Sequence, residues 1–172
     1  VTFREDWMEH RLNCLKNFGI VDQEHVVWVG GNAKMNEFQA AMGLCNLHHL
    51  DQEIDRRRLV VERYLSGLAG VPGIRLPSFR EGLTPNYAYF PVLFEDFKAD
   101  RDQVYDCLAG HRIYPRKYFY PLINDFQCYK GRFSSKDTPV AAYVADRVLT
   151  LPCYADLELE DVDRICGIIR GM

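Results

Sequence analysis

Apolar positions recur along this chain at two spacings, and each spacing predicts an element. Between residues 4 and 18, Trp7, Met8, Leu12, Leu15 and Phe18 stand near helical spacing, with Gly19 as a stop. "HVVWVGG" (25–31) is a short β-branched run ended by glycines, ahead of a long helix. From Phe38 a 3.6-residue period continues through Ala41, Met42, Cys45, Ile54, Val61, Tyr64, Leu65 and Leu68. It predicts one long helix, with Asn36 and Gln39 spaced as a capping box at its start. Unbroken to Ala69 it measures about 50 Å at ~1.5 Å per residue. That length predicts an element joining two bodies. Within it, "DQEIDRRR" sets acids before arginines, as suits neighbours on a helix surface.

"GVPGIRLPS" (70–78) ends the helix with two glycines and two prolines. "NYAYFPVLF" (86–94) alternates as a strand does, and "DRDQVYDCLAGH" (100–111) reads as a short helix capped by Asp100. The prolines of "RIYPRKYFYPL" (112–122) predict an extended, irregular path. "TPVAAYVADRVLTLPCY" (138–154) predicts a helix passing into a buried strand stopped by Pro152. "LELEDVDRICGIIR" (157–170) closes with Val162, Ile165, Ile168 and Ile169 on one helical stripe. Helices alternating with short strands predict an α/β class, with an α+β small domain in which helices cover a small sheet.

Composition narrows the function more than the fold. The chain has 172 residues, 48% of them apolar and 26% charged, and 21 basic against 24 acidic residues give a net charge of −3. That balance offers no electrostatic footprint for nucleic acid or an anionic membrane. No apolar run approaches the roughly 20 residues of a membrane span, and the N-terminus carries acids where a secretory signal needs an apolar stretch. Six cysteines lie far apart without a C-x-x-C pair, so they read as reduced packed thiols and no metal site is expected. Cytoplasmic residence is the expectation. The opening residues already read as the middle of a structure.

Candidate chemistry is sparse. His48 and His49 point about 100° apart on a helix, which suits two surface histidines better than one metal. Gly30-Gly31-Asn32 ahead of a capped helix, with Lys34 close by, suits an anion, a phosphate above all. Such turns also precede many helices that bind nothing. Tyr114, Tyr118, Phe119 and Tyr120, interleaved with Arg116 and Lys117, fit either a packed cluster or a ligand-facing loop.

"GNAKMNEFQAAMGLCNL", followed by "LDQEIDRRRLVVERYLSGL", resembles the DegT–StrS-type sugar-nucleotide aminotransferases. The match from Asn32 to Ala41 follows the family's pattern of Asn, any residue, a base, Met or Leu, a polar residue, an acid, an apolar residue, Gln or His, and two alanines. "CLKNFGI", "NYAYFPV", "RKYFYPL" and "TPVAAYVADRVLTLPCYADLELEDVDRI" carry the likeness across essentially the whole chain. The resemblance implies a pyridoxal-phosphate enzyme of the aspartate-aminotransferase fold (fold type I) that moves an amino group, from glutamate, to a ketone on a nucleotide-linked deoxysugar. It implies a homodimer in which Asn32, with Gly31 beside it, reaches the cofactor phosphate of the other subunit. It implies substrate-binding roles for Lys34, a basic position on the same loop, and for Arg116, Tyr118 and Tyr120, on the loop near the sugar substrate. Many relatives carry histidines in that loop, where this chain has Lys117 and Ile123.

The resemblance also implies what this chain lacks. The Schiff-base lysine, the aromatic that stacks on the cofactor ring and the acid that pairs with its nitrogen precede the region where the chain begins. Lysines 16, 34, 98, 117, 130 and 136 lie in other contexts, so no catalytic residue is assigned. The expectation is a C-terminal portion of such an enzyme: 1–35 a remnant of the large cofactor-binding domain, 36–69 the connecting helix, 70–172 the small domain. Taken alone, the chain is expected to be inactive. Two alternatives stay open: a truncated, self-associating module without catalysis, and part of a related sugar dehydratase that uses the same cofactor.

Overall fold

A computed structural model describes residues 2–172 and divides the chain into two units, Val1–His49 and Leu50–Met172. In the first unit, α1 (Trp7–Lys16) buries Cys14 and ends where Phe18 and Gly19 take left-handed backbone, φ 59° and 80°. The segment from Val26 to Ala33 then runs back along that helix end. Val27 N–H donates to Gly19 O (3.1 Å), Gly31 N–H to Leu15 O (3.0 Å) and Ala33 N–H to Lys16 O (2.9 Å). The carbonyls that a helix leaves unpaired at its C-terminus take up donors that a strand would have given to a neighbour. The β-branched run over 25–31 therefore joins no sheet among the described residues: an isolated bridge pairs Ile20 with Val26, and Val29 is fully exposed.

α2 (Glu37–Gly67) is the predicted long helix. Its capping box is present, with Gln39 N–H donating to Asn36 Oδ1 (2.9 Å) and Asn36 N–H to Gln39 Oε1 (3.0 Å). The apolar period holds along its length, but burial does not follow it evenly. Phe38 is 89% exposed and Met42 62%, whereas Val60, Val61 and Tyr64 are at most 1% exposed.

In the second unit a three-stranded antiparallel sheet runs in the order β1 (Ile74–Arg75), β2 (Phe90–Phe94), β3 (Val148–Leu151). β1 lies inside the stretch read only as a helix break. β2 is shorter than the expected 86–94, because Tyr87 takes a positive φ of 52° that no strand continues. Phe90, Val92 and Phe94 alternate inward, while all four residues of β3 are buried. Helices α3 (Arg101–Gly110), α4 (Pro139–Ala145) and α5 (Leu159–Gly171) complete the unit. Asp100 caps α3 through a box with Gln103. Val104, Leu108, Val162, Ile165 and Ile169 pack with the end of α2 around the sheet. Gly67 lets α2 come close to α5, since a Cβ there would stand 2.7 Å from Cys166 Sγ.

Tyr64 lies at the centre, stacked on Phe90 with ring centroids 4.8 Å apart. Its hydroxyl is buried and has no hydrogen-bond partner among the described residues, and burial holds its pKa above the usual phenol range. Tyr64→Phe removes a polar group that folding strips of water without replacement. We expect the variant to be more stable by about 1 kcal/mol, read as a higher denaturant midpoint. A loss of stability instead would show that the hydroxyl has a partner.

All six cysteines are free, and burial pushes the thiols of Cys153 and Cys166 up to about 11. Among the described residues, no helix is long and apolar enough to cross a membrane, and no group of three His, Cys, Asp or Glu side chains is placed to hold a metal.

Candidate functional site

The glycine pair before α2 separates into two roles. A Cβ on Gly30 would meet Gly19 N at 2.4 Å and Leu15 O at 2.6 Å, so Gly30 serves the packing of its own chain. A Cβ on Gly31 would meet nothing within 4 Å. Main-chain N–H groups of Gly31 and Ala33 are committed to α1. Asn32, between them, is exposed, and its side chain makes no hydrogen bond among the described residues. Lys34 Nζ donates to Asn17 Oδ1 (2.7 Å) and stands 4.7 Å above the Phe18 ring, so this cation braces the loop from within. The helix start offers an anion less than the bare pattern suggested. The Asn36 side-chain oxygen Oδ1 accepts the Gln39 N–H, and the Glu37 carboxylate stands in the first turn.

In the second unit Arg116, Tyr118 and Tyr120 come together on the segment after α3. Arg116 is fixed by its main chain, which exchanges two hydrogen bonds with Thr150 (2.9 and 2.7 Å) and so extends the sheet past β3. Its guanidinium donates to the Tyr118 hydroxyl, and Tyr118 meets Tyr89 edge to face at 5.7 Å. Lys117 and Tyr120 turn towards α3. Lys117 Nζ lies 2.6 Å from Asp102 Oδ1, and the Arg101 guanidinium stacks 4.6 Å over the Tyr120 ring.

Arg101 is a residue the sequence reading missed. It is 4% exposed, donates to Ala145 O at 2.8 Å and holds Nε 2.6 Å from Asp102 Oδ1, though not along a hydrogen-bonding direction. A buried arginine with a carbonyl, a carboxylate and an aromatic face around it ties the segment to α3 and to the end of α4. Its only sequence signal was an Asp-Arg-Asp run at a helix start, which reads first as capping.

Hydrogen bonding from Lys117, with the charge of Arg101 adding to it, holds the Asp102 carboxyl below its ordinary pKa. A depressed carboxylate stabilises the fold above its unfolded pKa, and that contribution disappears as pH falls through the folded value. Loosening of residues 116–121 is therefore expected below about pH 4 and not above it. The Tyr118 and Tyr120 signals in near-ultraviolet circular dichroism report it, and a flat titration with Asp102→Asn matching wild type would refute the link.

Two cavities flank this segment, of about 620 and 690 Å³, and Arg116 and Tyr118 line both. The first is bounded also by Arg112, Arg164 and the turn after β3, the second by Phe119, Tyr120 and Phe126. Such volumes suit small-molecule ligands, and the side chains offer cations and aromatic faces.

Comparison with known proteins gives a consistent result. The profile of the DegT/DnrJ/EryC1/StrS aminotransferase family matches residues 1–170. A dTDP-4-amino-4,6-dideoxy-D-glucose transaminase of Escherichia coli is 42% identical over 164 residues, covering 94% of this chain and 44% of that protein. A transaminase of the same name from Shigella dysenteriae is 35% identical, covering 95% and 45%. Among solved structures, DesV of S. venezuelae, in complex with a ketimine intermediate, superposes with a TM-score of 0.86 at 31% identity over 97% of this chain and 44% of that one. The chain spans about half the length of the curated relatives it matches.

Proposed function

The chain belongs to the DegT/DnrJ/EryC1/StrS aminotransferase family, and from that premise we propose that it forms the C-terminal part of an enzyme that aminates a ketone on a nucleotide-linked deoxysugar. The supporting observation is the agreement of two relatives on one kind of transamination over 94% and 95% of this chain. Glutamate is the amino donor in this reading, and the working unit is a homodimer.

The residues present fit the phosphate end of pyridoxal phosphate. Gly31 has open space where other residues would carry a side chain, and Asn32 beside it keeps an uncommitted amide. Pyridoxal phosphate, when bound, would supply the aldehyde that takes an amino group from one substrate and passes it to another, with the ring as electron sink. Asn32 would donate its side-chain N–H to the cofactor phosphate held by the partner subunit. Lys34 holds the loop in shape through Asn17 and adds positive charge on the same side. Arg116 and Tyr118 face the sugar substrate, and Tyr120 keeps their segment seated on Arg101. None of this chain's lysines is assigned to carry the cofactor. Lys34 and Lys117 are engaged with Asn17 and Asp102.

Alone, then, the 172 residues do not transaminate. Purified chain with pyridoxal phosphate, glutamate and a dTDP-linked 4-keto-6-deoxysugar is expected to give no aminosugar. The same chain joined to a lysine-bearing large domain is expected to turn over, and Gly31→Val or Asn32→Ala in that protein should weaken cofactor retention by about tenfold, the scale of one charge-assisted hydrogen bond. Turnover by the chain alone would overturn its assignment as an incomplete part. Absence of turnover in the joined protein would overturn the activity itself, and dehydration of the sugar in its place would favour the related dehydratase. Exposure of Phe38 and Met42 on α2 also favours self-association, which a non-catalytic module would share with the homodimer.

A further inference from the structure

The turn after α1 holds a phenylalanine where the backbone favours another residue. Past Asn17 the chain takes two left-handed positions in succession, Phe18 at φ 59° and Gly19 at φ 80°. Gly19 has a steric reason to be glycine, since a Cβ there would run into Trp28 O. Phe18 has no such backbone reason. A Cβ at this φ crowds the neighbouring carbonyl, and glycine or asparagine is the usual occupant. Core packing does not account for it either, because Phe18 is 49% exposed. What its ring does meet is Lys34. The ammonium stands 4.7 Å above the ring and donates to Asn17 Oδ1 at 2.7 Å. Two consecutive residues after α1 thus grip one cation from the far side of the loop.

Asn32 lies inside that grip. Before it, Gly31 N–H donates to Leu15 O (3.0 Å), and Gly31 O accepts from Phe18 N–H (3.1 Å). After it, Ala33 N–H donates to Lys16 O (2.9 Å). Among the described residues Asn32 itself makes no main-chain hydrogen bond, so its direction is set by its fastened neighbours. Beyond Ala33 the tie back to this turn, among the described residues, is the Lys34 side chain.

We propose that Asn17 and Phe18 are positioning residues: they hold the Lys34 ammonium as a strut, and the strut fixes the direction in which Asn32 presents its side-chain amide. An ammonium gives up part of its hydration where an oxygen and an aromatic face replace it, and both replacements come from this one turn. The strained conformation of Phe18 is the one that sets its ring under the cation. This rests on Asn32 as a contact for the cofactor phosphate, and adds two residues that touch neither cofactor nor substrate in that reading.

Amide hydrogen exchange in the purified chain tests the strut without any cofactor. Lys34→Met should speed exchange at Gly31 and Ala33 by about tenfold, and Asn17→Ala or Phe18→Asn by several-fold. Asparagine suits left-handed backbone, so Phe18→Asn should leave the melting temperature level or higher while the loop loosens. A merely structural residue would move both in the same direction. Phe18→Tyr, which keeps the ring, should exchange as wild type does. Lys34→Met combined with Asn17→Ala should exchange no faster than Lys34→Met alone, since both remove one contact. Unchanged exchange in Lys34→Met, or additive effects in the double variant, overturns the strut. Retention of pyridoxal phosphate through dialysis, in the chain joined to a lysine-bearing large domain, is the second readout. Several-fold faster loss of the cofactor from Phe18→Asn, at a level melting temperature, supports the positioning of Asn32. Retention that responds to Asn32→Ala but not to Phe18→Asn or Lys34→Met overturns that positioning and leaves the phosphate contact standing. Retention indifferent even to Asn32→Ala, with exchange in the chain alone as expected, sinks the phosphate contact and leaves the strut.

Discussion

Phe90→Ala is expected to remove about 3–5 kcal/mol of stability, enough to leave the second unit largely unfolded at physiological temperature if its reserve lies at the low end of the usual ~5–15 kcal/mol. Phe90 is fully buried, stacks on Tyr64 and pairs with Leu151 across the sheet. Its removal therefore strips contacts from α2, β3 and the aromatic stack together. Side chains around it belong to elements far apart in sequence, so they cannot close over the void by a local shift. A drop of roughly 10–20 °C in melting temperature is the expected reading. Phe90→Leu, which keeps most of the volume, should lose much less. A Phe90→Ala protein that melts within a few degrees of wild type would mean that the core here is not packed around this ring.

Arg101→Met is the second large effect, and it falls on the candidate site. Methionine preserves the apolar stem and the helix but removes the hydrogen bond to Ala145 O, the charge beside Asp102 and the stacking over Tyr120. A hydrogen bond from a charged donor and a cation–π contact together are worth about 2–3 kcal/mol. Lys117 remains on Asp102, so the segment should loosen around Tyr120 first and not detach. In a transaminating protein this predicts a several-fold rise in KM for the sugar nucleotide with kcat changing less. Arg101→Lys should recover only part, because an ammonium cannot hold carbonyl, carboxylate and ring face at once. A purely structural role would lower the melting temperature with KM unmoved.

Much of the fold was legible in the sequence because its signals were local. The Asn36–Gln39 box and the Asp100 cap appear as read, since capping needs only residues three apart, and the structure adds Gln103 to the second. α5 carries Val162, Ile165 and Ile169 inward at the spacing that predicted it, and Pro152 follows the end of β3. The β-branched run over 25–31 had its path set by a non-local contact. Its donors found the C-terminal carbonyls of α1 before any strand, an arrangement that β-branched composition cannot anticipate. β1 escaped notice because two residues between a glycine and a proline carry no period at all.

The candidate site divides along the same line. Sequence alone determined which residues could bear chemistry, Asn32 beside Gly31 and the Arg116–Tyr120 run, because residue type and order suffice to name donors, cations and aromatic faces. It also determined the helices, whose hydrogen bonds close within four residues. Only the tertiary structure decided that Gly30 packs against its own chain while Gly31 stays open, and that Lys34 braces Asn17. It alone paired Arg56 and Arg63 with Asp156 and Asp163, a hundred residues away, while Arg58 meets Asp55 on the helix surface as the local run of acids suggested. It alone set Arg112 and Arg164 on one cavity with Arg116. The physical reason is common to all of these: steric closeness and ion pairing depend on distance in space, and residues distant in sequence acquire it only when the core closes.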